Sequence, residues 1–112
     1  MRRYKLVAMT NPSEGRTAEY DTWYDAHLRE VLALPGFKSA QRFRLAKELG
    51  AESTFSFLAI YEVETEDIDR VMADLIDRAT TGRLSISDAV APKNYAAVYE
   101  ELGPAIISEA AI

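Results

Sequence analysis

The chain has 112 residues, 48% hydrophobic and 28% charged, the composition of one globular domain with its own core rather than of a disordered segment. Thirteen Lys and Arg against 18 Asp and Glu give a formal charge of −5, a field that repels a phosphate backbone and argues against nucleic acid as a partner. There is no cysteine, so disulfides, thiolate metal ligands and cysteine nucleophiles are excluded.

The opening MRRYKLVAM has a basic flank, but its apolar run is too short for a signal peptide and ends at TNPSEG. Nothing approaches the roughly 20 apolar residues of a membrane helix, so a cytoplasmic protein of one domain, residues 1–112, is expected. Residues 4–10 read as a strand. In the NPSEG that follows, Asn11, Pro12 and Glu14 can serve as helix cap, first-turn proline and first-turn acid, with Gly15 delaying the regular helix by a few residues. From 16 to 34, Tyr20, Trp23, Tyr24, His27, Val31 and Leu34 recur at steps of three and four. That is a helix, with Asp21, Asp25, Arg29 and Glu30 on its other faces, ended by Pro35 and Gly36.

Residues 37–46, FKSAQRFRLA, alternate. Phe37, Ser39, Gln41, Phe43 and Leu45 take one side of a strand; Lys38, Ala40, Arg42 and Arg44 take the other. KELGAES is a hairpin connection. Residues 54–64 form a further strand whose core, FLAIY, is continuously apolar, as expected where both faces are covered. Thr65 can cap a second helix, with Glu66 and Asp67 in its first turn. Ile68, Val71, Met72, Leu75, Ile76 and Ala79 supply its apolar stripe as far as Gly82, and Asp67, Asp69, Asp74 and Asp77 fall on its wet side. After an irregular stretch, YAAVYEEL is the last strand, stopped by Gly103 and Pro104. The tail AIISEAAI is apolar enough to dock on something.

Strand, helix, strand, strand, helix, strand is the split βαβ, ferredoxin-like order: an α+β domain with a four-stranded antiparallel sheet and both helices on one face. The other face then lies bare, although LVAM and FLAIY are apolar on both sides. A second copy packed sheet to sheet about a two-fold axis covers it most simply, so a homodimer is expected. A partner protein on the same face is the alternative.

NPSEGRTAEYDTWYDAHLREVLALPGFKSAQRFRL, FLAIYEVE and VYEELGP together resemble the dimeric α/β-barrel superfamily, in particular its EthD-like branch, in register from about residue 4 to 104. The aromatic-rich first helix with its histidine, the PGF stop and the SAQRF strand carry the resemblance. It implies a ferredoxin-like protomer whose sheet closes into a barrel across a dimer. It also implies membership among cofactor-free monooxygenases, lactone isomerases, polyketide cyclases and proteins without assigned activity. Relatives commonly have two residues between the aspartate of WYD and the histidine. Here Ala26 alone separates Asp25 from His27, about 100° of helix rotation.

His27, the only histidine, is the candidate catalytic residue. On a sheet-facing stripe it stays largely neutral and available as a base; its other reading is a core residue bonded to a carbonyl. Tyr20, Trp23 and Tyr24 are candidate walls of a ligand pocket, or core filler. Ser39, Gln41 and Phe43 on one strand face are candidate ligand contacts, or solvated groups near a strand end. Tyr61 or Tyr99 can reach such a pocket, but tyrosines on strands more often pack. Arg42 and Arg44, on the opposite strand face, read as surface charge, with pairing to acids at the dimer interface the alternative. One histidine among scattered carboxylates is no metal-ligand set, and neither NPSEG nor ELGAES has the glycine spacing of a phosphate loop.

Two functions fit. One is a cofactor-free enzyme acting on a hydrophobic aromatic or polyketide-like carbonyl compound by acid/base chemistry: cyclisation, isomerisation or elimination, with His27 as acid or base and Tyr24 or Tyr61 holding the oxygen. The other is a non-catalytic homodimer that binds a small ligand or supports a neighbouring enzyme, with His27 structural. A cavity with convergent polar groups beside His27 favours the first; a filled core favours the second.

Overall fold

A computed structural model describes residues 1–110 of the chain. The elements follow the expected order: β1 (Arg2–Thr10), α1 (Thr17–Leu32), β2 (Phe37–Arg44), β3 (Phe57–Thr65), α2 (Ile68–Thr80) and β4 (Tyr95–Glu100). The strands form one sheet in the order β2-β3-β1-β4, every neighbouring pair antiparallel. This is the ferredoxin-like α+β fold. No described helix is long and apolar enough to cross a membrane, and the described residues include no group of three or more acidic or histidine side chains able to hold a metal ion.

Both helices contribute to one apolar layer on one face of the sheet. Tyr4 and Leu6 of β1, Phe37 of β2, and Ala59, Tyr61 and Val63 of β3 are buried there against Tyr20, Tyr24 and Val31 of α1. Ile68, Val71, Met72 and Leu75 of α2 pack against that cluster from its edge, each partly buried. Ile76, read as part of the stripe, is instead 61% exposed, because the flank of α2 that packs on the core carries Ile68, Val71, Met72 and Leu75 and leaves Ile76 outside.

The caps differ from the expected ones. The α1 helix begins beyond the NPSEG turn with Arg16 in the cap position and no side-chain cap. Asn11 instead bonds across to the hairpin connection, donating to the Thr54 carbonyl and accepting from Ser56 N–H, while Pro12 bridges to Val90. β3 runs through Thr65, so the cap of α2 falls to Asp67, whose carboxylate accepts from Arg70 N–H at 3.1 Å. Gly36 is required where it stands. Its φ of +94° suits glycine, its carbonyl accepts from Glu64 N–H, and an added Cβ would meet Val71 Cγ2 at 3.2 Å.

β2 departs from simple alternation. A bulge between Phe37 and Ser39 shifts the register, so that Phe37 faces Val63 while Ala40 faces Tyr61 and Arg42 faces Ala59. Phe37, Ala40 and Arg42 therefore share the helix-facing side, and Ser39, Gln41 and Phe43 the other. The strand ends at Arg44, which leaves Leu45 outside it. The open face divides in two. Val7, Met9, Leu58, Ile60 and Ala97 make an apolar half, each only partly buried. The other half is charged and paired within the chain, with Arg3 to Glu64 at 3.2 Å and Lys5 to Glu101 at 2.9 Å. In the tail, Ile106 and Ile107 are exposed; residues 111 and 112 of the expected docking segment lie outside the described residues.

Candidate functional site

The helical period of α1 turns Tyr20 and Tyr24 onto the sheet, with Trp23 and His27 on the adjoining flank. Tyr20 is fully buried and Tyr24 nearly so; Trp23 and His27 are half-buried. The His27 ring stacks on Trp23, with centroids 4.5 Å apart and planes 17° from parallel, and meets Tyr24 edge-on at 5.8 Å. His27 Nδ1 and Trp23 Nε1 are both sealed from solvent without a hydrogen-bond partner among the described residues. Burial lowers the imidazole pKa, and the nearby Glu30 carboxylate opposes that in part. Glu30 is itself engaged by the backbone N–H and hydroxyl of Ser85.

Next to this pair lies a set of hydroxyls. Tyr20 Oη and Thr10 Oγ1 share a hydrogen bond of 2.5 Å, and Tyr61 projects from β3 into the same layer. Burial raises the phenol pKa of Tyr20, Tyr24 and Tyr61, and for Tyr61 the neighbouring Tyr24 adds to it. All three therefore remain protonated at neutral pH and able to donate. Tyr20 and Tyr24 meet edge to face at 5.3 Å, so this part of the layer is filled by its own side chains.

The expected site residues thus separate into two groups. His27, Tyr20, Trp23, Tyr24 and Tyr61 come together between helix and sheet. Ser39, Gln41 and Phe43 do not join them: the bulge in β2 leaves these three on the open face, across the sheet from His27. Tyr99 also lies on that face, 52% exposed, with its hydroxyl on that of Tyr95. A shallow groove beside Trp23 is walled by Ala18, Glu19, Thr22 and Ser87, and His27 is not among its lining residues.

Arg42 is the residue the sequence reading placed wrongly. It is no surface charge. Its side chain is 19% exposed, and its guanidinium lies 5.0 Å from the Tyr24 ring centroid, 5.4 Å from Tyr20 and 5.7 Å from Phe57. Nη2 donates to Asp21 Oδ1 at 2.8 Å, and Nη1 lies 3.5 Å from Asp25 Oδ1. Burial is the largest single effect and works against its charge, but the bond to Asp21 and the nearby charges of Asp21 and Asp25 together outweigh it, and the pKa is raised. One signal was present in the sequence: Asp21 and Asp25 stand one helical turn apart, each next to a buried tyrosine, and so form an acidic edge in search of a cation.

The fold and this helix–sheet layer define a class, the ferredoxin-like α+β proteins. Solved structures sharing it include a provisionally assigned monooxygenase from Shewanella loihica PV-4, 18% identical, with a TM-score of 0.63 over 93% of this chain and 99% of that one. SnoaB, a cofactor-independent oxygenase from Streptomyces nogalater, is 17% identical, with a TM-score of 0.58 over 91% of this chain and 95% of that one. An EthD family protein from Bacillus halodurans is 18% identical, with a TM-score of 0.54 over 91% of this chain and all of that one. No family model and no curated protein matches by sequence. At these identities the likeness carries the ferredoxin-like fold alone.

Proposed function

We propose that the protein binds a hydrophobic aromatic or polyketide-like carbonyl compound and acts on it by acid/base chemistry at His27, as a homodimer joined through the open sheet face. One observation carries the chemistry: the His27 ring is held flat against Trp23 while its Nδ1 is sealed from solvent without a partner. A structural histidine ordinarily commits that nitrogen to a hydrogen bond. Leaving a buried polar atom unpaired costs on the order of 1–3 kcal/mol, which is tolerated most often where the group has work to do. Burial keeps the imidazole neutral near pH 7, the form a base needs.

The reaction that fits is proton abstraction beside a carbonyl. The imidazole takes the proton, the C–H electron pair moves into an enolate, and a protonated phenol of Tyr24 or Tyr61 donates to the enolate oxygen. The imidazolium then returns the proton at another carbon, which completes an isomerisation, or to a leaving oxygen, which completes an elimination. SnoaB, similar in fold, is a cofactor-independent oxygenase. Oxygenation here would require the substrate carbanion itself to reduce oxygen. The dimer is supported by the apolar half of the open face, which the chain leaves incompletely covered.

A second reading rests on a different observation. Tyr20, Tyr24 and Tyr61 pack as a filled layer, and a filled layer suits a non-catalytic homodimer that binds a ligand elsewhere or supports a neighbouring enzyme of a degradation or biosynthesis pathway. NMR titration of the single imidazole separates the two, with and without phenolic and polyketide-like ligands. Catalysis at His27 requires a midpoint below the ordinary value of about 6.5 and a resonance that moves when ligand is added. A ring that fails to titrate while the protein stays folded, and ignores every ligand, establishes the structural role.

A further inference from the structure

We infer that the groove beside Arg42 is a binding site for an uncharged, flat aromatic compound with a carbonyl next to a hydroxyl, Arg42 donating to the carbonyl oxygen and Asp25 accepting from the hydroxyl. The groove has a volume of about 460 Å³ and is lined chiefly by Asp21, Asp25, Arg42, Arg44, Phe43 and Phe57. It opens at the edge of the sheet, because β2 is a terminal strand.

Three features set the ligand class. First, the guanidinium is fixed yet underused. Three aromatic rings within 5.7 Å pack against it, but among the described residues only one of its five donors makes a hydrogen bond, to Asp21. Arg42 lines the groove, and its remaining nitrogens are not among the buried atoms lacking partners. Second, the charges balance. Arg42 and Arg44 face Asp21 and Asp25 in one lining, so a carboxylate would meet the aspartates and an ammonium the arginines. A neutral ligand offends neither. Third, donor and acceptor are adjacent: Arg42 Nη1 and Asp25 Oδ1 are 3.5 Å apart, which matches a ligand whose acceptor and donor are also adjacent. Phe57, whose ring lies 5.7 Å from the guanidinium on the same side of the sheet, provides the apolar surface for the ligand's rings.

The inference narrows the ligand class proposed above but does not depend on His27, which does not line this groove. Arg42 lies between the groove and the tyrosines, touching both. A ligand here is read by hydrogen bonding at the mouth of the layer, whether or not chemistry follows inside it.

The test is a titration of the isotopically labelled full chain with 2-acetyl-1-naphthol, with 2-acetylnaphthalene and 1-naphthol as controls that each lack one polar group. Saturable shifts should centre on the Arg42 Nε–H and the amides of Thr17 and Asp21. Each control should bind about fivefold more weakly, since each leaves one of the paired groups without its partner. Arg42→Lys should weaken the full ligand by about tenfold, because an ammonium keeps the charge and loses the fixed planar donors. Shifts centred on the His27 ring with none at Arg42 would support catalysis at His27 and overturn this site. No saturable binding, or equal binding by all three ligands, would overturn it as well. Should Arg42→Lys fail to fold, the shift map and the three-ligand comparison on the unaltered chain decide the matter.

Discussion

On the helix-facing side of the sheet Tyr4, Leu6, Ala59, Tyr61 and Val63 are all buried, whereas on the open side Val7, Met9, Leu58 and Ile60 stop half-buried and Phe43, Tyr95 and Tyr99 stand exposed. The residue types are similar. The difference is what covers them: α1 and α2 close one face within the chain, and nothing among the described residues closes the other. Burial of apolar area contributes roughly 25 cal/mol per Å², so the closed face supplies most of the stability of a single chain. One face is therefore expected to govern folding and the other association.

The largest effect that could break this division is Tyr20→Ala. It removes a fully buried ring, its hydrogen bond to Thr10 and its place beneath Arg42. A loss of about 3–5 kcal/mol in unfolding free energy is expected by denaturant titration. A loss under 1 kcal/mol would mean that the closed face is not the core. Next comes Ile60→Lys, at the centre of the open face between Gln41 and Val7. Sedimentation should show dimers for the unaltered chain and single chains for the variant, with the fold kept to within about 1 kcal/mol, as for surface changes. Unaltered self-association would remove the open face from the dimer. The smallest expected effect is Asp67→Ala, which deletes the cap of α2, a helix with no fully buried residue. About 1 kcal/mol should be lost with association untouched.

The order of elements was legible because it is local. The three-and-four spacing of Tyr20, Tyr24, Val31 and Leu34 sets the face of α1, and the stop at Pro35 and Gly36 holds because Gly36 alone accepts both its φ and the nearness of Val71. The continuous FLAIY run signalled two apolar faces, as found, although the described residues cover only one of them. Of the candidate site, the part on one helix was legible. Tyr20, Trp23, Tyr24 and His27 lie together because about two successive turns of α1 put them together. Tyr61 joins them through the pairing of β3 with β1.

The sequence by itself determined the periodic content of this protein: which segments coil or extend, and which flank of α1 carries the aromatic groups and the only imidazole. The tertiary structure decided what the period cannot encode. A single extra residue at the Phe37–Ser39 bulge reverses the rest of β2, and in a strand of period two that sends every following side chain to the opposite face. Arg42 is thereby turned under α1 against Asp21 and three rings, and Ser39 and Gln41 are turned away from His27. Such a reversal comes from register against β3, a pairing between residues distant in the chain, and so it is decided only when the sheet forms.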